Sequence, residues 1–263
     1  IISSTGTYNN KTYEYTHGYS TIITSATTTN ENGTLNHMQK GFDKTNEAIT
    51  ITEPRIYFGT QTNDTVVINS KDKKEFDYPI LDSAEAENAE NVYSGEAGLQ
   101  LNFLDRMILA IKEGDLKLAF SGNVTSESKI LTNRNIIKRA KTVMPYLMYD
   151  ENPYTVVNDE GKIIWVLDAY TISDSYPYSQ KTTIRQSATS KIELNYIRNS
   201  VKVLIDSYDG TISFYITDRT DPIAMAYEKI YPNLFKAKEE QIPEDISSHF
   251  VYPKYLYDVQ AKM

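Results

Sequence analysis

Cysteine is absent from the 263 residues, and with it go disulfides, thiolate nucleophiles and sulfur ligands for metals. Its absence carries no information about compartment, because domains exported by bacteria also do without it. Histidine is nearly as scarce. His17, His37 and His249 stand far apart in sequence and form no His-Glu-x-x-His pair, so a zinc hydrolase has no support. No serine lies in Gly-x-Ser-x-Gly, and the nearest approach to a phosphate loop, Gly95-Glu-Ala-Gly98, lacks the lysine and hydroxyl that would follow. Positive charge is in deficit as well. With 27 basic against 35 acidic residues the net charge is -8, which argues against a nucleic-acid partner, since phosphate backbones are neutralised by clustered Lys and Arg. No apolar run reaches the ~18 residues that span a bilayer. The start, IISSTGTYNN, has neither the basic nor the apolar region of a signal peptide. These absences predict a soluble chain with no metal and no cofactor; beginning on Ile, it reads as a piece of a longer protein.

What is present is the composition of an ordinary folded domain: 40% hydrophobic, 24% charged, 11 Gly and 9 Pro. The length allows one large domain or two closely packed lobes. Residues 1–50 are rich in Thr, Asn, Ser and Gly, and Thr27 to Gly41 reads as a long polar loop. Ala48 to Gly59 and Thr65 to Asn69 alternate β-branched and aromatic residues with polar ones and read as paired strands. Asp82 to Gly98 is acidic and aperiodic, the expected excursion between a β-rich lobe (1–81) and an α+β lobe (99–263). Leu104, Met107, Ile108 and Ile111 then recur at helical spacing, with Gly114 as the C-cap. A second helix is expected over Asn133 to Val143; its basic run, Arg134 to Lys141, reads as a solvated face.

Two hairpins follow, at 154–169 and 195–218. In the first, Tyr154 to Val157 and Lys162 to Ala169 flank Asn158-Asp-Glu-Gly161, and the second arm, apolar on both faces, reads as a central strand carrying Trp165. In the second, Ile197, Val201, Val203 and Ile205 alternate with polar residues, as do Ile212, Phe214 and Ile216, which predicts one buried and one wet face around an Asp209-Gly210 turn. Asp221-Pro222 supplies an N-cap and first-turn proline for a helix through Ile230, and Pro243-Glu-Asp opens another. The fold class is α+β, with a mixed or mainly antiparallel sheet and helices packed on one face.

Acidic residues form the one enzyme-like constellation. Asp168 ends an apolar strand and Asp174 follows it; as a pair they would suit acid and base work on a glycosidic bond, with the surrounding aspartates as calcium ligands. The bland account is turns, caps and, for Asp168, a structural ion pair with Arg198 or Arg185. Tyr170, Tyr176 and Tyr178 crowd the loop after the strand, a composition suited equally to stacking a sugar or peptide and to rigid packing. Arg198 and Asn199 are polar on an otherwise apolar strand, and with Asp168 they complete the candidate site.

Five segments, taken together, resemble the uncharacterised protein family UPF0182: YTHGY at 15–19, PRIYFG at 54–59, EFDYP at 75–79, DAYTISDSYPYSQ at 168–180 and NYIRNSVKVLIDSYDGTISFY at 195–215. The resemblance implies a large multi-pass bacterial membrane protein, with this chain as part of its extracytoplasmic region and the transmembrane helices outside it. It brings no substrate or catalytic residue. The expectation is a non-enzymatic domain that binds a cell-envelope glycan or protein, or assembles the membrane protein; the alternative is an envelope hydrolase using Asp168 and Asp174.

Overall fold

The computed structural model describes residues 4–8, 11–41, 49–71, 74–80, 88–100, 102–114, 117–120, 122, 124–185, 190–238 and 240–262. The chain divides into two compact units, residues 1–135 with 207–210, and residues 136–206 with 211–263.

The described residues of the first unit form short strands and two helices. In chain order they are β1 (Ser4–Tyr8), β2 (Lys11–Tyr15), β3 (Gly18–Tyr19), β4 (Ile23–Thr29), β5 (Leu35–Gln39), β6 (Arg55–Ile56), β7 (Val66–Ile68), β8 (Lys74–Pro79), β9 (Asn88–Asn91), β10 (Leu99–Gln100), α1 (Phe103–Glu113), α2 (Lys117–Phe120) and β11 (Lys129–Leu131). One sheet runs β1-β2-β8-β9, in which β2 and β8 are parallel; another runs β10-β11-β7. β3 pairs with β6, and β4 with β5. The expected polar loop at Thr27 to Gly41 is therefore in large part a hairpin. Its strand signal is masked because polar residues carry much of the pairing, as in Thr24 against His37, and the turn between the strands is itself polar, with Asn30 Nδ2 donating to Thr34 Oγ1 at 3.0 Å. Part of the expected acidic excursion is likewise a strand, β9, paired with β8; residues 82–87 of that stretch lie outside the described residues. α1 ends at Gly114 as the sequence predicts, but its N-cap, Asn102, was not foreseen, and of the residues whose spacing announced the helix Leu104, Ile108 and Ile111 are exposed. Asn102 accepts from the Asp105 amide at 2.9 Å, and Gly114 closes the helix at φ 71°. Met107, Leu109 and Ala110 pack toward Val67, Ala119 and Ile130.

The second unit holds α3 (Ile136–Val143), β12 (Met148–Tyr149), β13 (Tyr154–Val157), β14 (Ile163–Ser173), β15 (Thr182–Arg185), β16 (Lys191–Leu194), β17 (Tyr196–Asp206), β18 (Ile212–Ile216), α4 (Pro222–Ile230), α5 (Glu244–Ser247) and α6 (Lys254–Gln260). Its main sheet is antiparallel throughout, ordered β12-β14-β17-β18, with β13 also on β14. Both predicted hairpins are present. The prediction that β17 has one wet face fails: Ser200 through Ile205 are all buried, because β17 lies between β14 and β18 and both of its faces are covered. Val156, Ile164, Val166 and Leu204 form one core with Ile246 of α5, and Ile184 and Leu194 of the β15–β16 hairpin pack with Val259 of α6.

Candidate functional site

The long strands β14 and β17 carry most of the residues singled out above, and their pairing decides what each does. The ladder is regular from Ile164↔Asp206 to Ala169↔Val201 and resumes at Thr171↔Arg198, so Asn199 and Ser200 of β17 stand against Tyr170 alone. This is a β-bulge on β17. Asn199 repairs it by donating Nδ2 to the Ala169 carbonyl at 3.2 Å, which is a structural role.

Asp168 is buried, and its partner is Lys202, directly across the ladder, rather than Arg198. The side chain of Arg185 lies outside the described residues. The ion pair was missed because Lys202 reads as a solvent-facing position of a half-wet strand. Its ammonium also lies 5.0 Å from the centre of the Phe250 ring. Burial lifts the Asp168 carboxyl above its ordinary value, against the pull of the Lys202 ammonium and the Asn199 amide. Tyr170 is fully buried, donates to Asp150 Oδ2 at 2.9 Å and packs on Tyr255 with ring centres 5.5 Å apart, so it belongs to the core.

Asp174 is exposed and held locally by Ser175 at 2.8 Å and Lys181 at 3.3 Å; the Ser175 hydroxyl, then Lys181, draws its carboxyl below the usual value. Tyr178, at φ 60°, stands wholly in solvent.

Tyr176 and Arg198 do come together. Both line an open groove of about 390 Å³, together with Tyr196, the polar Asn195, Ser179, Gln180 and Thr182, and the apolar Ile184, Leu194, Ile197 and Val259. Tyr176 stacks on Tyr196, centres 5.2 Å apart and planes 23° apart, and the Arg198 guanidinium lies 6.0 Å from the Tyr196 ring centre. The wall is fixed from behind. Asn195 clamps the loop by accepting from the Tyr176 amide at 2.9 Å and donating to the Tyr176 and Ser179 carbonyls at 2.8 and 3.1 Å. Tyr196 donates its hydroxyl to Asp221 at 2.7 Å, a carboxylate that also accepts from Thr171 and Ser200, each at 2.5 Å, and caps α4 through the Ile223 amide at 2.9 Å. Arg198 is oriented by Asp218 at 3.2 Å and Thr220 at 3.1 Å. The groove thus joins a stacked tyrosine pair, apolar side chains and a few polar groups held in set directions, a composition suited to taking up a small molecule. Asn195 and Tyr196 were missed as site residues; the signal was their place at the start of the strand that carries Arg198.

The match to known proteins spans the whole molecule. The model of the uncharacterised protein family UPF0182 covers residues 1–263. This chain belongs to that family. UPF0182 proteins of Clostridium novyi and Clostridium botulinum are 42% and 43% identical to it over 257 and 260 residues, and one of Alkaliphilus metalliredigens is 40% identical over 258. Those alignments take in 97 to 98% of this chain but 26 to 27% of the relatives, so the chain spans about a quarter of the UPF0182 proteins it matches. No solved structure matches it. Among the described residues no helix is long and apolar enough to cross a membrane, and no group of three or more His, Asp or Glu is placed to hold a metal ion.

Proposed function

We propose that this UPF0182 domain is a non-enzymatic binding module of a longer, membrane-anchored protein, and that it takes up a cell-envelope glycan in the groove beside Tyr176, Tyr196 and Arg198. The groove carries the reading: a rigid aromatic wall offers a face for a sugar ring, and Gln180, Thr182 and Arg198 offer hydrogen-bond partners at the edge. The relatives' extra length leaves ample chain for membrane-spanning and further segments.

The two carboxylates of the hydrolase reading have separate surroundings. They are six residues apart along an extended strand, roughly 20 Å at ~3.3 Å per residue, against the about 5 to 10 Å that glycoside hydrolysis uses. One is held by Lys202 in the interior and the other by Lys181 at the surface, and neither lines the groove.

Calorimetric titration with an N-acetylglucosamine tetramer and with the stem peptide of peptidoglycan distinguishes glycan from peptide. Saturable binding of the tetramer, weakened at least tenfold by Tyr176→Ala and by Arg198→Ala but not by Tyr178→Ala, is the expected result. Binding of the peptide alone would reassign the groove, and binding of neither, or binding indifferent to Tyr176, would remove the proposal.

A further inference from the structure

Helix α1 carries more apolar surface than the first unit covers. Met107 and Ala110 pack toward Val67, Ala119 and Ile130, which accounts for the face that α1 buries. A second line of apolar side chains, Leu104, Ile108 and Ile111, stands 71, 67 and 69% exposed. At 3.6 residues per turn these three fall within about 60° of one another and run along the helix as one stripe. Phe103 at the start of α1 and Phe120 at the end of α2 are exposed as well. Apolar residues scattered singly are ordinary on a protein surface, whereas a continuous stripe marks an interaction site.

The charges beside the stripe make it complementary to itself. Asp105 lies in the first turn and Lys112 in the last, seven residues on; seven residues are close to two full turns, so both stand on the same flank of the stripe. Both are exposed, and neither has an ion-pair partner among the described residues. The helix dipole accounts for an acid at one end and a base at the other, but it is indifferent to which flank they occupy.

A second copy of α1 laid antiparallel on the first, about a two-fold axis, brings like flank to like flank with the order reversed. Asp105 of each copy then comes opposite Lys112 of the other, Leu104 opposite Ile111, and Ile108 meets its own counterpart at the centre. Each end of the apolar seam is closed by an ion pair between copies. A parallel pair would instead set Asp105 and Lys112 beside the flank of Met107 and Gly114, where no charge answers them.

We propose that the exposed face of α1 is a self-association surface, on which two copies of this chain pair through antiparallel α1 helices with Ile108 at the two-fold axis. Pairing takes no residue from the groove of Tyr176 and Arg198, so it is independent of what that groove binds. Because the chain spans about a quarter of the UPF0182 proteins it matches, the same contact would join two copies of the longer protein.

Sedimentation equilibrium of the 263-residue chain at low salt, from ~1 to ~500 μM, should show one chain in reversible equilibrium with two. Ile108→Glu sets two carboxylates against each other at the centre of the seam and should weaken pairing at least about tenfold. Its thermal transition should stay in place, since Ile108 is exposed in the single chain. Asp105→Lys and Lys112→Asp should each weaken pairing, because each sets like charges opposite one another at both ends of the seam. Mixing these two variants in equal amounts should restore it, each copy supplying the charge that the other lacks. A single-chain mass over the whole range, pairing indifferent to Ile108→Glu, or charge variants that pair like the unaltered chain and gain nothing from mixing would each overturn the proposal. So would binding to phosphatidylglycerol vesicles without pairing, which would give the stripe to a lipid surface.

Discussion

Asp168 and Lys202 face one another across the β14–β17 ladder with side chains 6 and 7% exposed, and such a pair stabilises less than its closeness suggests, because both charges leave water to form it. The asymmetry is what can be measured. Lys202→Met strands a buried carboxylate and should cost about 3–5 kcal/mol at pH 7 in urea unfolding, whereas Lys202→Met with Asp168→Leu should recover most of that loss. In the single variant the carboxyl value rises further, so the deficit should shrink as the pH is lowered through that value and the group becomes neutral. A double variant as unstable as the single one would show that the charges hold the bulge rather than merely tolerate it. Arg134 makes the complementary point about reading charge from sequence. In the run RNIIKRAK it looked like part of a solvated helix face, yet it precedes α3, is buried, and donates to the carbonyls of Tyr57, Asp64 and Thr16; burial lowers its value to about 10. A guanidinium that saturates loop carbonyls leaves no mark in local periodicity, because its partners are about 70 or more residues away in sequence.

At the scale of elements, what was legible was whatever local chemistry dictates. α1 with its Gly114 C-cap, α4 opened by Asp221-Pro222, and the β13–β14 and β17–β18 hairpins follow from capping, spacing and turn residues. What was not legible depends on partners: the β4–β5 hairpin and β9 are polar strands that exist because another strand pairs with them, and α6 lacks a capping side chain. The site was read in part for the same reason. Tyr176 and Arg198 were found, but Tyr170 belongs to the core and Tyr178 to solvent, since their directions follow from strand parity and from one left-handed residue. Gly210 and Gly114 separate two costs that sequence cannot. Both have positive φ, 70° and 71°, yet a Cβ on Gly210 would lie 2.7 Å from three carbons of the buried Phe58 ring, while one on Gly114 would meet nothing within 4 Å. Gly114→Ala should therefore cost about 1–2 kcal/mol, the left-handed penalty alone. Gly210→Ala should cost about 2–5 kcal/mol once overpacking is added. Equal losses in thermal unfolding would contradict this.

At the scale of the molecule, the first unit is not a continuous stretch of chain. It needs residues 207–210, which lie some 70 residues beyond its last contiguous residue, Asn135. Their contribution is specific: the amides of Tyr57 and Phe58 both donate to the Ser207 carbonyl at 2.9 Å. The Tyr208 ring packs within 5.0 Å of Tyr93 and 5.5 Å of Tyr57, and its hydroxyl receives the Ser94 amide at 3.0 Å. Removing them leaves two strand-end amides without that acceptor and takes away an aromatic partner of a ring that also donates to Glu75. A chain of residues 1–135 should accordingly lack a cooperative thermal transition, although it contains α1, α2 and the strands β1 to β11. Joining a short linker and the sequence Asp206 to Thr211 to its end should restore the transition in part. That restoration should fail when the added segment carries Tyr208→Ala, since the Ser207 carbonyl alone does not fill the space beside Tyr57 and Tyr93. Calorimetry on the three chains decides it: a sharp transition in the 1–135 chain would show that the four residues decorate the unit instead of completing it.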